Sequence, residues 1–100
     1  DVASPLPVRA ARALGARRVL AVDVAVHMDR PRPQGAERYL EGDRAKRAQI
    51  DAEARLADLV LHPYFGYWVS LSRGFRERAA RAAYEHTLAQ AARIKALAAA

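Results

Sequence analysis

The side chains that could act as nucleophiles or proton carriers are few in this chain of 100 residues. There is no cysteine, which excludes a thiol nucleophile, a cysteine metal site and a disulfide framework. The remaining candidates are the serines and histidines, namely Ser4, Ser70, Ser72, His27, His62 and His86. No serine lies in a Gly-x-Ser-x-Gly elbow, and no glycine-rich loop is present that could bind an oxyanion. Each serine instead stands where a helix cap is expected, and capping accounts for all of them.

The histidines and one aspartate are interpreted mainly as structural groups. The three histidines lie far apart and lack the spacing of metal ligands, so no metal ion is predicted, and no organic cofactor either. His62 ends an apolar run and is interpreted as a structural histidine with satisfied hydrogen bonds. Asp23 ends another apolar run, where open α/β sheets place their ligands. The favoured interpretation of Asp23 is a buried carboxylate bonded to loop amides. The alternative is a residue that supports an active site through hydrogen bonds.

A capped helix, a tight stop and a strand are predicted between residues 4 and 24. Ser4 is the expected cap, with Pro5 in the first helical position, where no amide donor is needed. Gly15 is predicted to end the helix, because glycine adopts a left-handed conformation without a Cβ penalty. Residues 19–24 form a nearly unbroken apolar run, typical of a parallel strand covered on both faces. The apolar face of the helix is predicted at Leu6, Ala10, Ala13 and Leu14.

A long loop and a second helix are predicted next. Pro31 and Pro33 remove amide donors, so residues 25–42 are predicted as the loop. Asp43 is the expected cap of a helix that runs to Ala57. Its apolar face is predicted at Ala45, Ala48, Ala52 and Leu56, and its solvated charged face at Arg47, Asp51 and Arg55.

The last third of the chain predicts a strand, an aromatic loop and a helix. Residues 58–63 read as a second short buried strand, parallel to the first because a helix connects them. The aromatic residues of 64–68 are interpreted as a cap on the sheet edge, and the alternative is a lipid-facing rim. Ser70 or Ser72 is predicted to begin a helix that runs to about Leu97. The inner face of that helix is predicted at Phe75, Ala79, Ala82, Ala83, Leu88, Ala91, Ile94 and Leu97.

Four stretches carry a family resemblance. They are DVASPLPV at residues 1–8, ARALGA at 11–16, VLAVDV at 19–24 and, more loosely, ADLVLHP at 57–63. The first three resemble the region just after the second catalytic motif of patatin-like phospholipases. That family typically reads Asp-Gly-Gly/Ala, then Pro-x-Pro-Val, a helix ending Leu-Gly-Ala and a strand ending Ala-Val-Asp-Val.

The resemblance implies a fold class and an activity. The fold would be α/β, with residues 1–100 as the C-terminal portion of a patatin-like three-layer α/β/α domain, ordered helix, strand, helix, strand, helix with parallel strands. The activity would be hydrolysis of lipid carboxylic esters by a bacterial-type enzyme with a Ser-Asp dyad, its serine upstream of residue 1. Counting back from the Pro-x-Pro-Val motif, Asp1 falls at the third position of the Asp-Gly-Gly/Ala triplet. The catalytic aspartate is therefore expected two residues earlier. The alternative is a shortened motif in which Asp1 itself is catalytic.

The excess of basic residues indicates which partners the chain attracts. The net charge is +6, from 17 basic and 11 acidic residues, which favours anionic surfaces. The arginines are spread along the chain without a nucleic-acid-binding motif, so nucleic acid is not the favoured partner. The expected partners are a lipid ester substrate, an anionic membrane in peripheral contact and the remainder of the same polypeptide. No apolar run of ~18 residues predicts a membrane span, so a soluble or peripheral location is expected. The alternative function is a non-catalytic basic α/β module that binds anionic lipid or nucleic acid.

Overall fold

The computed structural model describes residues 4–100, and these form a mixed α/β arrangement with two parallel strands. A 3₁₀ turn over Glu37–Tyr39 leads directly into the second helix. In chain order the elements are α1 (Val8–Ala13), β1 (Leu20–Val22), α2 (Leu40–Ala54), β2 (Leu59–Leu61), α3 (Arg73–Ala89) and α4 (Ala91–Ala99). The predicted order of helix, strand, helix, strand and helix with parallel strands is therefore confirmed, except that two helices follow β2.

The strand register divides the side chains between the two faces of the sheet. Partners in register point to the same face, so Ala21 and Val60 share one face while Leu20, Val22 and their partners share the other. The Ala21 face packs against α1 and α2. The buried cluster there consists of Leu6, Val8, Val19, Ala21 and Ile50.

The opposite face of the sheet is only half covered. Leu59 and Leu61 of β2 are buried there, and α4 contacts β2. On the same face of β1, however, Leu20, Val22 and Val24 are 40%, 52% and 64% exposed. The prediction that the first strand is covered on both faces is therefore wrong for the part of the chain that the structure describes. Apolar composition alone cannot show which side receives a covering layer.

The first helix begins later than predicted. Its N-cap is Pro7, without a side-chain capping bond, whereas the prediction placed Ser4 at the cap and Pro5 inside the helix. A residue that precedes proline is disfavoured in the helical conformation, so Pro7 delays the start of α1 to Val8. The Ser4 hydroxyl instead donates a hydrogen bond to a carboxylate of α2.

The packing face of α1 also differs from the prediction. Leu6 and Val8 are buried, but Leu14 is 90% exposed. The inward face of α1 is formed by Val8, Ala11 and Arg12, three and four residues apart, and Ala10 and Ala13 are exposed. The predicted end is confirmed, since Gly15 has a φ of +101°.

The inner face of α2 combines apolar and charged residues. Asp43, predicted as the cap, lies in the first turn; of the predicted apolar face, Ala45, Ala48 and Leu56 are exposed and only Ala52 is half-buried. The buried and half-buried residues of α2 are Leu40, Asp43, Arg47, Ile50, Ala52, Glu53 and Ala54. Most of them follow the spacing of three and four residues that marks one helical face. The apolar pattern misplaced this face because three of these seven residues carry a charge.

The C-terminal helical region begins as predicted and then divides. The Ser72 hydroxyl accepts the N–H of Phe75 at 3.1 Å, which confirms it as the N-cap of α3. The single helix predicted to Leu97 is interrupted at Gln90, where φ is −100° and ψ is 9°. The predicted inner face is half-buried, with the exception of Leu88, which is exposed.

Replacement of Ile50 tests the packing of α2 on the sheet. Ile50 is the largest side chain that is fully buried, so Ile50→Ala is expected to lower the free energy of unfolding by about 2–5 kcal/mol. The exposed Leu14 is the control, and Leu14→Ala is expected to change it by no more than about 0.5 kcal/mol. Urea unfolding followed by circular dichroism measures both. Equal losses would contradict the described core.

Candidate functional site

A buried ion pair closes the carboxyl end of β1. Asp23 is 3% exposed, and its Oδ2 accepts a hydrogen bond from Nη2 of Arg47, which α2 directs towards it. The Oδ1 atom accepts the N–H of Ala25 at 3.0 Å. The Arg47 guanidinium also donates to the carbonyl of Val26 at 3.1 Å and pairs with Asp51 at 3.0 Å. Arg47 therefore fastens α2 to the strand end and to the loop that follows it.

His62, directly after β2, adds a third group to this pair. Its Nε2 lies 3.0 Å from the Ala25 carbonyl oxygen and 3.6 Å from Oδ2 of Asp23. Nη1 of Arg47 lies 3.4 Å from the same nitrogen, so Nε2 either donates to Ala25 or accepts from Arg47, according to its tautomer. The predicted hydrogen-bond partners of His62 are present, and the prediction that Asp23 is a buried carboxylate is confirmed, with an arginine as its additional partner.

The three histidines meet in space, although the sequence suggested that they are far apart. The His27 ring stacks on His62 with centroids 3.5 Å apart, and its Nε2 lies 3.3 Å from the Pro63 carbonyl oxygen. His86 of α3 accepts the backbone N–H of His62 through Nε2 at 3.1 Å, so that nitrogen carries no proton. This histidine cluster (His27, His62 and His86) joins the loop after β1, the end of β2 and the last turn of α3.

The environment keeps Asp23 ionised. Burial acts to raise the pKa of its carboxyl, but hydrogen bonds from Arg47 and the Ala25 amide, with His62 nearby, outweigh burial and lower the pKa below its ordinary value. Both carboxylate oxygens are engaged by donors. A stabilised carboxylate of this kind is a weak base, so Asp23 positions its neighbours rather than transferring protons.

A second polar network holds the aromatic loop. Oδ2 of Asp43 accepts hydrogen bonds from Nη1 of Arg32 and from the Tyr67 hydroxyl, both at 2.7 Å. Burial acts to raise the pKa of Asp43, but these two bonds outweigh it and lower the pKa. The bond to Asp43 in turn raises the pKa of the Tyr67 hydroxyl. The network fixes residues 64–68 to the first turn of α2.

The serines are engaged in structural contacts. Ser72 caps α3, and the Ser70 hydroxyl accepts the N–H of Ser72 at 3.1 Å. The Ser4 hydroxyl donates to Oε1 of Glu53 at 3.2 Å. Glu53 is buried, and its second carboxylate oxygen pairs with Arg9. The Ser4–Glu53 contact therefore fastens the entry segment, residues 4–7, to α2.

A cavity of about 140 Å³ opens beside Asp23 at the carboxyl end of β1. Its lining combines a lysine with the ends of the strand and the entry segment: Pro5, Asp23, Val24, Ala25, Lys46 and Ile50. This end of a parallel strand is where α/β sheets bind ligands, and Lys46 favours an anionic group. Asp1, the candidate catalytic residue, lies outside the described residues.

Arg47 is the central residue of this site. The charge pattern of the sequence wrongly placed it on the solvated face of α2. One signal could have located it, because Arg47 lies three residues before Ile50 and so shares the buried face of α2.

Within residues 4–100 no group of three or more histidine or carboxylate side chains is arranged to hold a metal ion. The site thus consists of a polar anchor, formed by Asp23, Arg47 and His62, beside a small cavity.

Comparison with protein-family models, curated proteins and solved structures finds no match to this chain. Within the part of the chain that the structure describes, no helix combines the length and the apolar character needed to cross a membrane.

Acid is expected to destabilise the protein partly through Asp23. Its pKa is lower in the folded than in the unfolded state, so the stabilisation is present above about pH 4 and is lost as the pH falls through the folded value. Asp23→Asn should therefore make the free energy of unfolding fall less steeply below about pH 4. The lowered pKa values of Asp43 and Asp58 leave part of the slope in place. Urea unfolding at a series of pH values measures how the free energy of unfolding changes with pH. A slope in Asp23→Asn identical to that of the wild type would refute the assignment.

Removal of Arg47 is expected to be costly because it leaves a buried carboxylate without its cation. Arg47→Met should lower the free energy of unfolding by about 3–5 kcal/mol. The exposed Arg44 on the same helix is the control, and Arg44→Met should change it by no more than about 0.5 kcal/mol. Adding Asp23→Asn to Arg47→Met should recover part of the loss. Equal effects of Arg47→Met and Arg44→Met would show that the ion pair is not the anchor.

Proposed function

We propose that this chain is the C-terminal part of a patatin-like lipid acyl hydrolase. The reaction is hydrolysis of a carboxylic ester through an acyl-enzyme on a serine that other parts of the polypeptide supply, with an aspartate as the base. The similarity of residues 1–8, 11–16 and 19–24 to the family pattern is the starting point. In this proposal the chain completes the sheet and supports the segment that carries the dyad aspartate.

The observation that carries the proposal is the uncovered side of β1. Leu20, Val22 and Val24 are substantially exposed, and an apolar groove of about 240 Å³ runs beside the strand. Among residues 4–100 the sheet contains only β1 and β2, and the helices that pack on this pair leave one face of β1 uncovered. An exposed apolar strand face needs further protein to cover it. A larger α/β/α domain of the patatin type would provide that cover.

The Asp23 site supports the same proposal. Pro5 of the entry segment and Asp23 line one cavity, so the segment in which the family carries its dyad aspartate enters beside the anchored strand end. Ser4 and Arg9 hold this segment against Glu53 of α2. The polar anchor thereby acts as a support for the catalytic region, consistent with the alternative role considered for Asp23.

A second candidate function is a non-catalytic basic α/β module that binds an anionic partner. The excess of basic residues, 17 against 11 acidic, favours it, because it attracts anionic surfaces. Such a module needs no nucleophile, and the two candidates differ in whether the protein carries a reactive serine.

Fluorophosphonate labelling of the full-length polypeptide, with the labelled peptide mapped by mass spectrometry, separates the two. The hydrolase predicts a single labelled serine that lies outside these 100 residues. Asp1→Asn should retain labelling if the dyad aspartate precedes residue 1, and lose it if Asp1 is that aspartate. Asp29→Asn is the matched control and should retain labelling. A folded protein that is not labelled would overturn the hydrolase and leave the binding module.

A further inference from the structure

The aromatic loop ends in an apolar tip that projects into solvent. Its residues Trp68, Val69 and Leu71 are 53%, 80% and 89% exposed, separated only by Ser70. Isolated exposed apolar side chains are common on protein surfaces, but three within four consecutive residues form a contiguous patch. The apolar tip, residues 68–71, is therefore a surface whose exposure calls for a partner.

The apolar tip stands on a fixed base. The Trp68 ring meets the rings of Tyr39 and Tyr67 edge-on, with centroids 6.3 Å and 4.9 Å away. Tyr67 is held in turn by Asp43 and Arg32. The exposure of the tip is thus a property of a braced loop, because its base is tied to the first turn of α2.

Exposed arginines follow the tip in the chain or contact aromatic rings near its base. The Arg38 guanidinium lies 4.9 Å from the Tyr39 ring centroid, and that of Arg30 lies 4.6 Å from the Tyr64 centroid. Arg76 donates to the Leu71 carbonyl at 2.9 Å, and Arg73, 85% exposed, forms a solvent-exposed ion pair with Glu77 at 3.6 Å. Residues 59–76 contain no aspartate or glutamate. The partner is therefore expected to combine negative charge with an apolar interior.

We propose that the apolar tip inserts into the interface of an anionic phospholipid bilayer, with Arg30, Arg38, Arg73 and Arg76 on the lipid phosphates. Tryptophan and tyrosine favour the headgroup level, and arginine can keep its charge at the phosphates while its stem lies among apolar groups. A nucleic acid would satisfy the arginines but leave Val69 and Leu71 in water. The inference deepens the proposed function and rests on it for its biological use, since docking brings a lipid hydrolase to its substrate.

Trp68 is the only tryptophan of these 100 residues, and the part of the emission change of the full-length polypeptide that Trp68→Phe abolishes reports its insertion. Titration with phosphatidylcholine vesicles that contain phosphatidylglycerol should shift its emission to shorter wavelength, and pure phosphatidylcholine vesicles should not. Val69→Ser with Leu71→Ser keeps the reporter and should weaken vesicle partitioning about tenfold or more, because buried apolar groups drive interfacial binding. Arg38→Gln and Arg76→Gln should each weaken it about fivefold, equivalent to about 1 kcal/mol per basic side chain near an anionic surface.

The matched controls are Leu14→Ser and Arg44→Gln, at exposed positions on other elements, and both should bind vesicles like the wild type. Circular dichroism verifies that every variant is folded, and vesicle sedimentation gives a second readout. The proposal is overturned if the emission does not shift, if the control variants lose as much binding as the tip variants, or if an oligonucleotide binds and vesicles do not. Fluorophosphonate labelling in solution does not involve the tip, so membrane docking and hydrolysis can fail separately.

Discussion

The ion pair between Arg47 and Asp23 is the interaction on which the arrangement of this chain depends. A buried charge pair is tolerated only when its remaining polar atoms are also bonded, and here the Ala25 amide and the Val26 carbonyl complete the set. The planar guanidinium reaches two carboxylates and a carbonyl at once, which a lysine ammonium could not reproduce with the same geometry. One side chain therefore fixes α2, the end of β1 and the course of the following loop.

The small size of the apolar core explains why polar contacts carry so much of the organisation. The buried cluster contains only five side chains, one of them an alanine, and no residue of α3 or α4 is buried. Several helix contacts are accordingly made by charged groups, as with Glu53, which holds Ser4 and Arg9. The same shortage leaves one side of β1 uncovered, and this agrees with the proposal that more protein packs there.

The polar anchor and the apolar tip lie at the same end of the strands and are physically connected. His27 stacks on His62 beside Asp23 and also meets the Tyr64 ring edge-on at 5.1 Å. Tyr64 and Tyr67 line a shared recess with Arg30 and Arg32. The loop that we propose to dock on lipid is thereby linked to the strand end at which an α/β protein places its ligand. In the proposed hydrolase, this arrangement would bring the catalytic region close to the membrane surface.

The sequence by itself determined the features that depend on neighbouring residues. Gly15 ends a helix because only glycine adopts its φ cheaply, Ser72 caps α3 because its hydroxyl reaches an amide three residues ahead, and two short apolar runs separated by a helix pair in parallel. The tertiary structure decided the candidate site. Arg47 and Asp23 are 24 residues apart in the chain, as are His62 and His86, and no local pattern identifies such partners. It also decided which face of α2 turns inward, because an inward carboxylate or guanidinium is stable only when the folded chain supplies its counter-charge, and hydrophobic periodicity registers no such pairing.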